Sequence, residues 1–147
     1  MFTRIVVGTD GSDTAREAVR QATDLAKLSG AMLSVVSAYA PVSKRRSESE
    51  QRDAPADVAY EIGPREDINL VLRSAAAEAK KEGIEAELHP VEGDPAEAIL
   101  TVAEQTKADL IVVGNKGMAG ARRFLLGSVP NKVSHHAPCS VIIVRTT

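Results

Sequence analysis

The sequence predicts an α/β fold, a parallel β-sheet with helices on both faces. Three observations carry that expectation. Short apolar, β-branched runs alternate along the chain with segments of helical period. The runs Ile5-Val6-Val7 and Leu110-Ile111-Val112-Val113 are unbroken, as in strands covered on both faces, whereas a strand with one wet face alternates. The order is strand, helix, strand, long loop, helix, strand, helix, strand, helix, strand, and with mostly short links this implies right-handed crossovers between parallel strands.

Ile5-Val6-Val7-Gly8 reads as the first strand, and the turn formers Thr9-Asp10-Gly11-Ser12 lead from it into a helix. That helix sets Ala15, Ala18, Val19, Ala22, Leu25 and Ala26 on one stripe and stops at Gly30. Ala31 to Tyr39 is the second strand, closed by Pro41. From Pro41 to about Pro64, residues 42–64 in the main, the pattern gives way to polar, mixed-charge sequence. This is read as a solvated, flexible loop or as a lid over a neighbouring site.

Helical spacing returns with Ile68, Val71, Leu72, Ala75, Ala76 and Ala79, ended by Gly83. Ile84 to His89 alternates apolar and polar, which places this third strand at a sheet edge. Asp94-Pro95-Ala96-Glu97 opens a third helix with Asp as cap, Pro at the first position and Glu three beyond; it runs to about Thr106. Leu110 to Val113 is the fourth strand and feeds the loop Gly114-Asn115-Lys116-Gly117. A last helix is expected from about Ser128, read as its cap, to His136, with Pro130 in the first turn and Pro138 as the break. Ser140 to Arg145 is the last strand.

A chain of 147 residues amounts to one domain, 1–147, that buries roughly 68 to 70% of its unfolded surface. Aromatics are only 3% and Trp is absent, which argues against stacking-based binding of single-stranded nucleic acid. A formal charge of −2 gives no basic footprint for duplex nucleic acid or an anionic membrane. No apolar run approaches the roughly 18 residues of a spanning helix, and no signal-like segment precedes the first strand. The single Cys139 has no internal disulfide partner and fits a reducing compartment, so a cytoplasmic location is expected.

The chemistry is expected where strands end in turns. The glycines after the fourth strand read either as plain turn residues or as a phosphate cradle. In the second reading, backbone amides around Gly114, Gly117 and Gly127, the Ser128 hydroxyl and a helix N-terminus hold an anion. Lys116, Arg122 and Arg123 lie in the same segment, as added positive charge or as solvated surface. Neither Gly-x-x-x-x-Gly-Lys-Ser/Thr nor Gly-x-Gly-x-x-Gly after the first strand is present, so such a cradle belongs to a third type.

Asp10 reads as a cap or turn residue, or as an acceptor for a ligand hydroxyl such as ribose; both roles are compatible. Leu126-Gly127-Ser128-Val129-Pro130 is not a nucleophile elbow, and no catalytic residue is assigned. His135 and His136 point about 100° apart on a helix, and Cys139 lies beyond the break, so no metal site of protein ligands is expected.

The spacing Gly114-x-x-Gly117, nine residues, Gly127-Ser128 resembles the nucleotide-binding signature of the universal stress protein family. The resemblance extends over essentially the whole chain. It includes Ile5-Val6-Val7-Gly8-Thr9-Asp10-Gly11-Ser12, Asp109-Leu110-Ile111-Val112-Val113-Gly114 and His136-Ala137-Pro138-Cys139-Ser140-Val141. It implies a five-stranded parallel sheet of order 3-2-1-4-5, like that of the adenine nucleotide alpha hydrolases, with ATP binding and a homodimer.

By that resemblance Asp10 contacts ribose, the backbone near Val36 and Ala38 holds adenine, and Gly114, Gly117, Gly127 and Ser128 hold ribose and phosphates. Thr9, Asn115 and Val129 complete the set. Asn115-Lys116 stands where the family often has a small polar residue and His. Any Mg is held mainly by the phosphates. The expected function is a stress or regulatory nucleotide-binding module with at most slow ATP hydrolysis. Alternatives are a cyclic-AMP binder, a ligand-free dimeric interaction protein, or an ATP-pyrophosphatase-type enzyme, although Thr9-Asp10-Gly11-Ser12-Asp13 does not match the Ser-Gly-Gly-x-Asp-Ser loop of such enzymes. In the implied sheet order the last strand, Ser140 to Arg145, is an edge without proline or lysine to guard it. It is the expected dimer contact.

Overall fold

Strand β1 (Arg4–Gly8) opens a computed structural model that describes residues 1–40, 65–115 and 126–146. Among these residues α1 (Asp13–Ser29), β2 (Met32–Tyr39), α2 (Arg65–Lys81), β3 (Ala86–Glu92), α3 (Pro95–Thr106), β4 (Leu110–Gly114), α4 (Ser128–His136) and β5 (Ser140–Val144) follow in turn. The five strands form one parallel sheet of order β3-β2-β1-β4-β5. The expected 42–64 loop lies outside the described residues.

The two-residue period of each strand divides the core into two halves. Ile5, Val7, Leu33, Val35, Leu110 and Val112 face the buried stripes of α1 and α2, among them Val19, Ala22, Ile68 and Leu72. Val6, Val36, Ile111 and Val113 face Ala98, Ile99 and Val102 of α3 and Val133 of α4. Both sides of β1 and β4 are therefore apolar, which is why their sequences run unbroken. At Gly8 the sheet meets α3 closely enough that an added Cβ would collide with the Ile99 side chain.

Several boundaries differ from the sequence expectation, each for a local reason. Ile84 does not start β3; its amide donates to the Ala79 carbonyl at 3.0 Å and closes the end of α2. The same strand continues past His89 to Glu92, because an edge strand accommodates Pro90, whose absent N–H costs no ladder bond on the outer side. Ala31 belongs to the turn that ends α1, its amide donating to Ala26 O at 3.0 Å. Strand β5 ends at Val144, one residue before Arg145. The cap of α4 is Gly127 rather than Ser128, which is the first helical residue.

Candidate functional site at the carboxyl end of the sheet

Strand order reverses between β1 and β4. From β1 the chain passes to α1 over one face, and α4 follows β4 over the other, so the carboxyl ends of these strands flank a crevice.

On the β1 side the turn holds its own backbone. The Thr9 amide donates to Val36 O at 2.9 Å, and the buried Ser37 hydroxyl donates to Thr9 O at 2.6 Å. Thr9 Oγ1 accepts the Gly11 amide at 3.1 Å, and Asp10 Oδ1 accepts the Ser12 amide at 2.9 Å. Ser12 then caps α1, its Oγ accepting from Ala15 N at 3.2 Å. Asp10 is exposed and serves the turn rather than the cap; among the described residues Ser12 is its hydrogen-bond donor.

Strand β2 outruns β1. Gly8 pairs with Val36, while Ser37, Ala38 and Tyr39 continue along β3 opposite Pro90, Val91 and Glu92. The Val36 carbonyl points at β1, where Thr9 occupies it, and Tyr39 O points the other way, to Gly93 N at 2.8 Å. By that alternation the Ala38 N–H and C=O face the β1 side, beyond the last β1 residue.

On the β4 side Asn115 ties three elements together. Its amide donates to Val144 O at 2.9 Å, and its carbonyl accepts from Gly127 N at 2.9 Å. Its Oδ1 accepts from Thr146 N at 2.8 Å and from Thr146 Oγ1 at 2.9 Å. With the Gly127 amide so engaged, the first-turn donors of α4 are the amides of Ser128 and Val129, to which the helix itself supplies no carbonyl, together with the exposed Ser128 side chain. Pro130 contributes no N–H. Unlike α1 and α3, α4 has no side-chain cap; Asp94 caps α3 by accepting from Glu97 N at 3.0 Å.

Thr9, Asp10 and Ala38 thus stand at the β1–β2 side of the crevice with Val36 just behind them, and Gly114, Asn115, Gly127, Ser128 and Val129 stand at the β4–α4 side. Gly117, Lys116, Arg122 and Arg123 lie outside the described residues. Lys132 of α4 reaches α3 instead, with Nζ 2.7 Å from Glu97 Oε1 and 3.5 Å from Asp94 Oδ2. The Glu97 hydrogen bond leads in raising its pKa.

Burial, with the Asp109 charge second, pushes the half-buried Cys139 thiol up, which suits an inert packing residue rather than a nucleophile. His135 and His136 are exposed on the last turn of α4. Among the described residues no group of three or more His, Cys, Asp or Glu could hold a metal ion, and no helix is long and apolar enough to cross a membrane.

Two supports of this site carry only a faint sequence signal. Ser37 is a polar residue inside a buried strand, a mark that its hydroxyl has a fixed partner. Val71 reads as an ordinary core residue of α2, yet it is the neighbour that a Cβ at Gly11 would meet, at 2.9 Å.

Residues 1–145 match the universal stress protein family. The chain belongs to that family. A universal stress protein of Mycobacterium tuberculosis is 37% identical over 147 residues, covering 99% of this chain and 98% of its own length. Among solved structures, a universal stress protein in complex with cAMP is 35% identical, with a TM-score of 0.74 over 99% of this chain and 98% of its own. The universal stress protein from Archaeoglobus fulgidus in complex with dAMP is 28% identical, with a TM-score of 0.67 over 96% of each chain. The order β3-β2-β1-β4-β5 in this family member agrees with the order that the resemblance implied.

Proposed function

We propose that this protein is an adenine-nucleotide-binding module, with ATP as its ligand, that holds the nucleotide and hydrolyses it slowly at most. The observation that carries the reading is the uncapped start of α4 at the strand-order reversal, where α1 and α3 are capped by their own side chains. Two backbone amides, a hydroxyl and the positive end of a helix there suit a phosphate. Across the crevice, Asp10 offers a carboxylate to a ribose hydroxyl. The Ala38 N–H and C=O offer one donor and one acceptor to the edge of adenine, which presents N1 as acceptor and N6 as donor.

The ligands in the two relatives, cAMP and dAMP, share adenine and a phosphate, and each has one free sugar hydroxyl, the 2′ in cAMP and the 3′ in dAMP; these are the kinds of group this site would read. Gly114 and Gly117 complete the cradle in this reading, Thr9, Val36, Asn115 and Val129 support it, and any Mg rides on the phosphates. In this reading the site positions the nucleotide rather than turning it over, since the sequence offers no recognisable general base beside the cradle.

Calorimetry with ATP, cAMP and GTP tests the reading. A micromolar dissociation constant for ATP, about −8 kcal/mol, is expected, with GTP weaker. No saturable binding at millimolar nucleotide, or an unchanged affinity after Gly117→Val plus Gly127→Val, sinks it. The relative solved with cAMP favours a second reading in which the cyclic nucleotide is the ligand, and competition on one sample separates the two. Pyrophosphate release from ATP would instead favour an enzyme of the ATP-pyrophosphatase type.

The protein is proposed to act in the cytoplasm as one domain and as a homodimer through β5. Ile143 is exposed on that edge strand. Ile143→Lys should turn a dimer into a monomer by sedimentation at tens of micromolar; a monomeric wild type at that concentration contradicts the dimer.

A further inference from the structure

The turn that carries Asp10 is braced from outside the crevice. Gly11 has a φ of +83°, and a Cβ there would stand 2.9 Å from Val71 Cγ2, so the α2 side chain lies directly against the turn backbone. The three atoms that such a Cβ would meet first all belong to Val71. Beside it opens a cleft of about 310 Å³ between α1 and α2, lined by Thr9, Gly11, Arg16, Val71, Ser74 and Glu78. The Arg16–Glu78 pair, at 2.8 Å, bridges α1 to α2 farther along. Within the turn the Gly11 amide is bonded to Thr9 Oγ1 and the Ser12 amide to Asp10 Oδ1, so displacement of Gly11 moves both ends of the Asp10 peptide.

We infer that Val71 is a positioning residue: by bracing Gly11 it fixes the Asp10 carboxylate and so sets how strongly the site favours a nucleotide with a free sugar hydroxyl. The inference rests on the adenine-nucleotide reading and adds to it a determinant of sugar specificity that touches no ligand. With Val71 cut back, the cleft extends under the turn and Asp10 samples several positions, each with a poorer hydrogen bond. Groups that hold adenine and phosphate stand on β2 and α4 and keep their geometry.

The test is titration of ATP and of 2′,3′-dideoxy-ATP, which lacks both hydroxyls, into the wild type, Val71→Ala and Val71→Thr. The Ala variant should bind ATP about fivefold more weakly while its affinity for the dideoxy nucleotide stays unchanged. The Thr variant keeps the branched shape and should match the wild type for both. On an Asp10→Asn background, Val71→Ala should change neither affinity. Without ligand, Val71→Ala should speed amide exchange at Ser12 and leave the amides of α3 as they were.

An equal loss for both nucleotides, an undiminished affinity for ATP, or unaltered Ser12 exchange overturns the inference while leaving the nucleotide reading intact. A wild type that binds neither nucleotide overturns both.

Discussion

Asp109 and Asp10 stand at opposite ends of adjacent strands and carry the same carboxylate in opposite circumstances. Asp109 lies just before β4, at the amino end of the sheet, and its oxygens accept from Thr3 N at 2.9 and 3.2 Å, Arg4 N at 3.0 Å and Thr3 Oγ1 at 3.1 Å. Asp10 lies just after β1, at the carboxyl end, and accepts from the Ser12 amide while its side chain stands exposed. One end of the sheet is closed by its own residues. The other end, with the Ala38 edge and the uncapped α4, keeps polar groups turned to the crevice, and that contrast separates a carboxylate that holds the fold from the one proposed to meet a ligand.

The strongest way to break this comparison is to close the open end as the rest of the molecule is closed. Gly127→Asp gives α4 the kind of cap that Asp94 gives α3, since Gly127 has an ordinary φ of −63° that any residue adopts. The new carboxylate should take the first-turn amides and repel phosphate, weakening ATP about a hundredfold, or about 2.7 kcal/mol. Stability should rise by a few tenths of a kcal/mol at the same time. Calorimetry and urea unfolding on one preparation check both signs. A variant that binds ATP normally would mean that the start of α4 is not the phosphate seat.

Asp10→Asn is the next largest change. It keeps an oxygen for the Ser12 amide and removes the charge offered to a sugar hydroxyl, so ATP affinity should fall about tenfold. The urea midpoint should shift by less than the equivalent of about 0.5 kcal/mol, as for an exposed side chain. Loss of stability without loss of affinity would assign Asp10 to the turn alone.

How much of this could be read from the sequence depends on the range of the cause. Helical stripes and unbroken strands are local periodicities, and α1, α2 and the core of the sheet follow them closely. Strand order is not local. Alternation demands parallel crossovers but leaves their arrangement open, and the order rested on the resemblance carried by the glycine spacing. The third strand outruns the alternation that stops at His89, because a proline ends a strand only where its N–H would be needed, and the edge position of β3 removes that need at Pro90. Gly127 and Ser128 exchanged the capping role because a serine before a helix caps it only from non-helical backbone, and here Gly127 takes that conformation. The brace at Val71 and the Asn115–Thr146 bonds join residues 60 and 31 apart in sequence, and no spacing rule reaches them.

At the closed end the expected effect is on stability alone. Asp109→Ala leaves two backbone amides and a hydroxyl without their acceptor, at a cost of about 1 kcal/mol once water replaces part of the loss. ATP affinity should not change. A measurable loss of affinity would show that the two ends communicate through β1 and would blunt the contrast between the aspartates.

The finest test uses pH. Hydrogen bonding to the Arg4 amide, and then to Thr3, holds the Asp109 carboxyl below the ordinary carboxylate range against the opposing effect of burial. A carboxyl whose folded pKa is depressed contributes its stability above the unfolded value, about 3.9, and loses it as pH falls through the folded value. The isosteric Asp109→Asn cannot be charged at any pH, so the wild type should exceed it in stability at pH 7 and the gap should narrow as pH is lowered below about 4. Paired urea titrations at pH 7 and pH 3 measure that narrowing. A gap of constant size would mean that Asp109 serves as a neutral acceptor would, and its difference from Asp10 would then lie in the count of its partners rather than in the charge they stabilise.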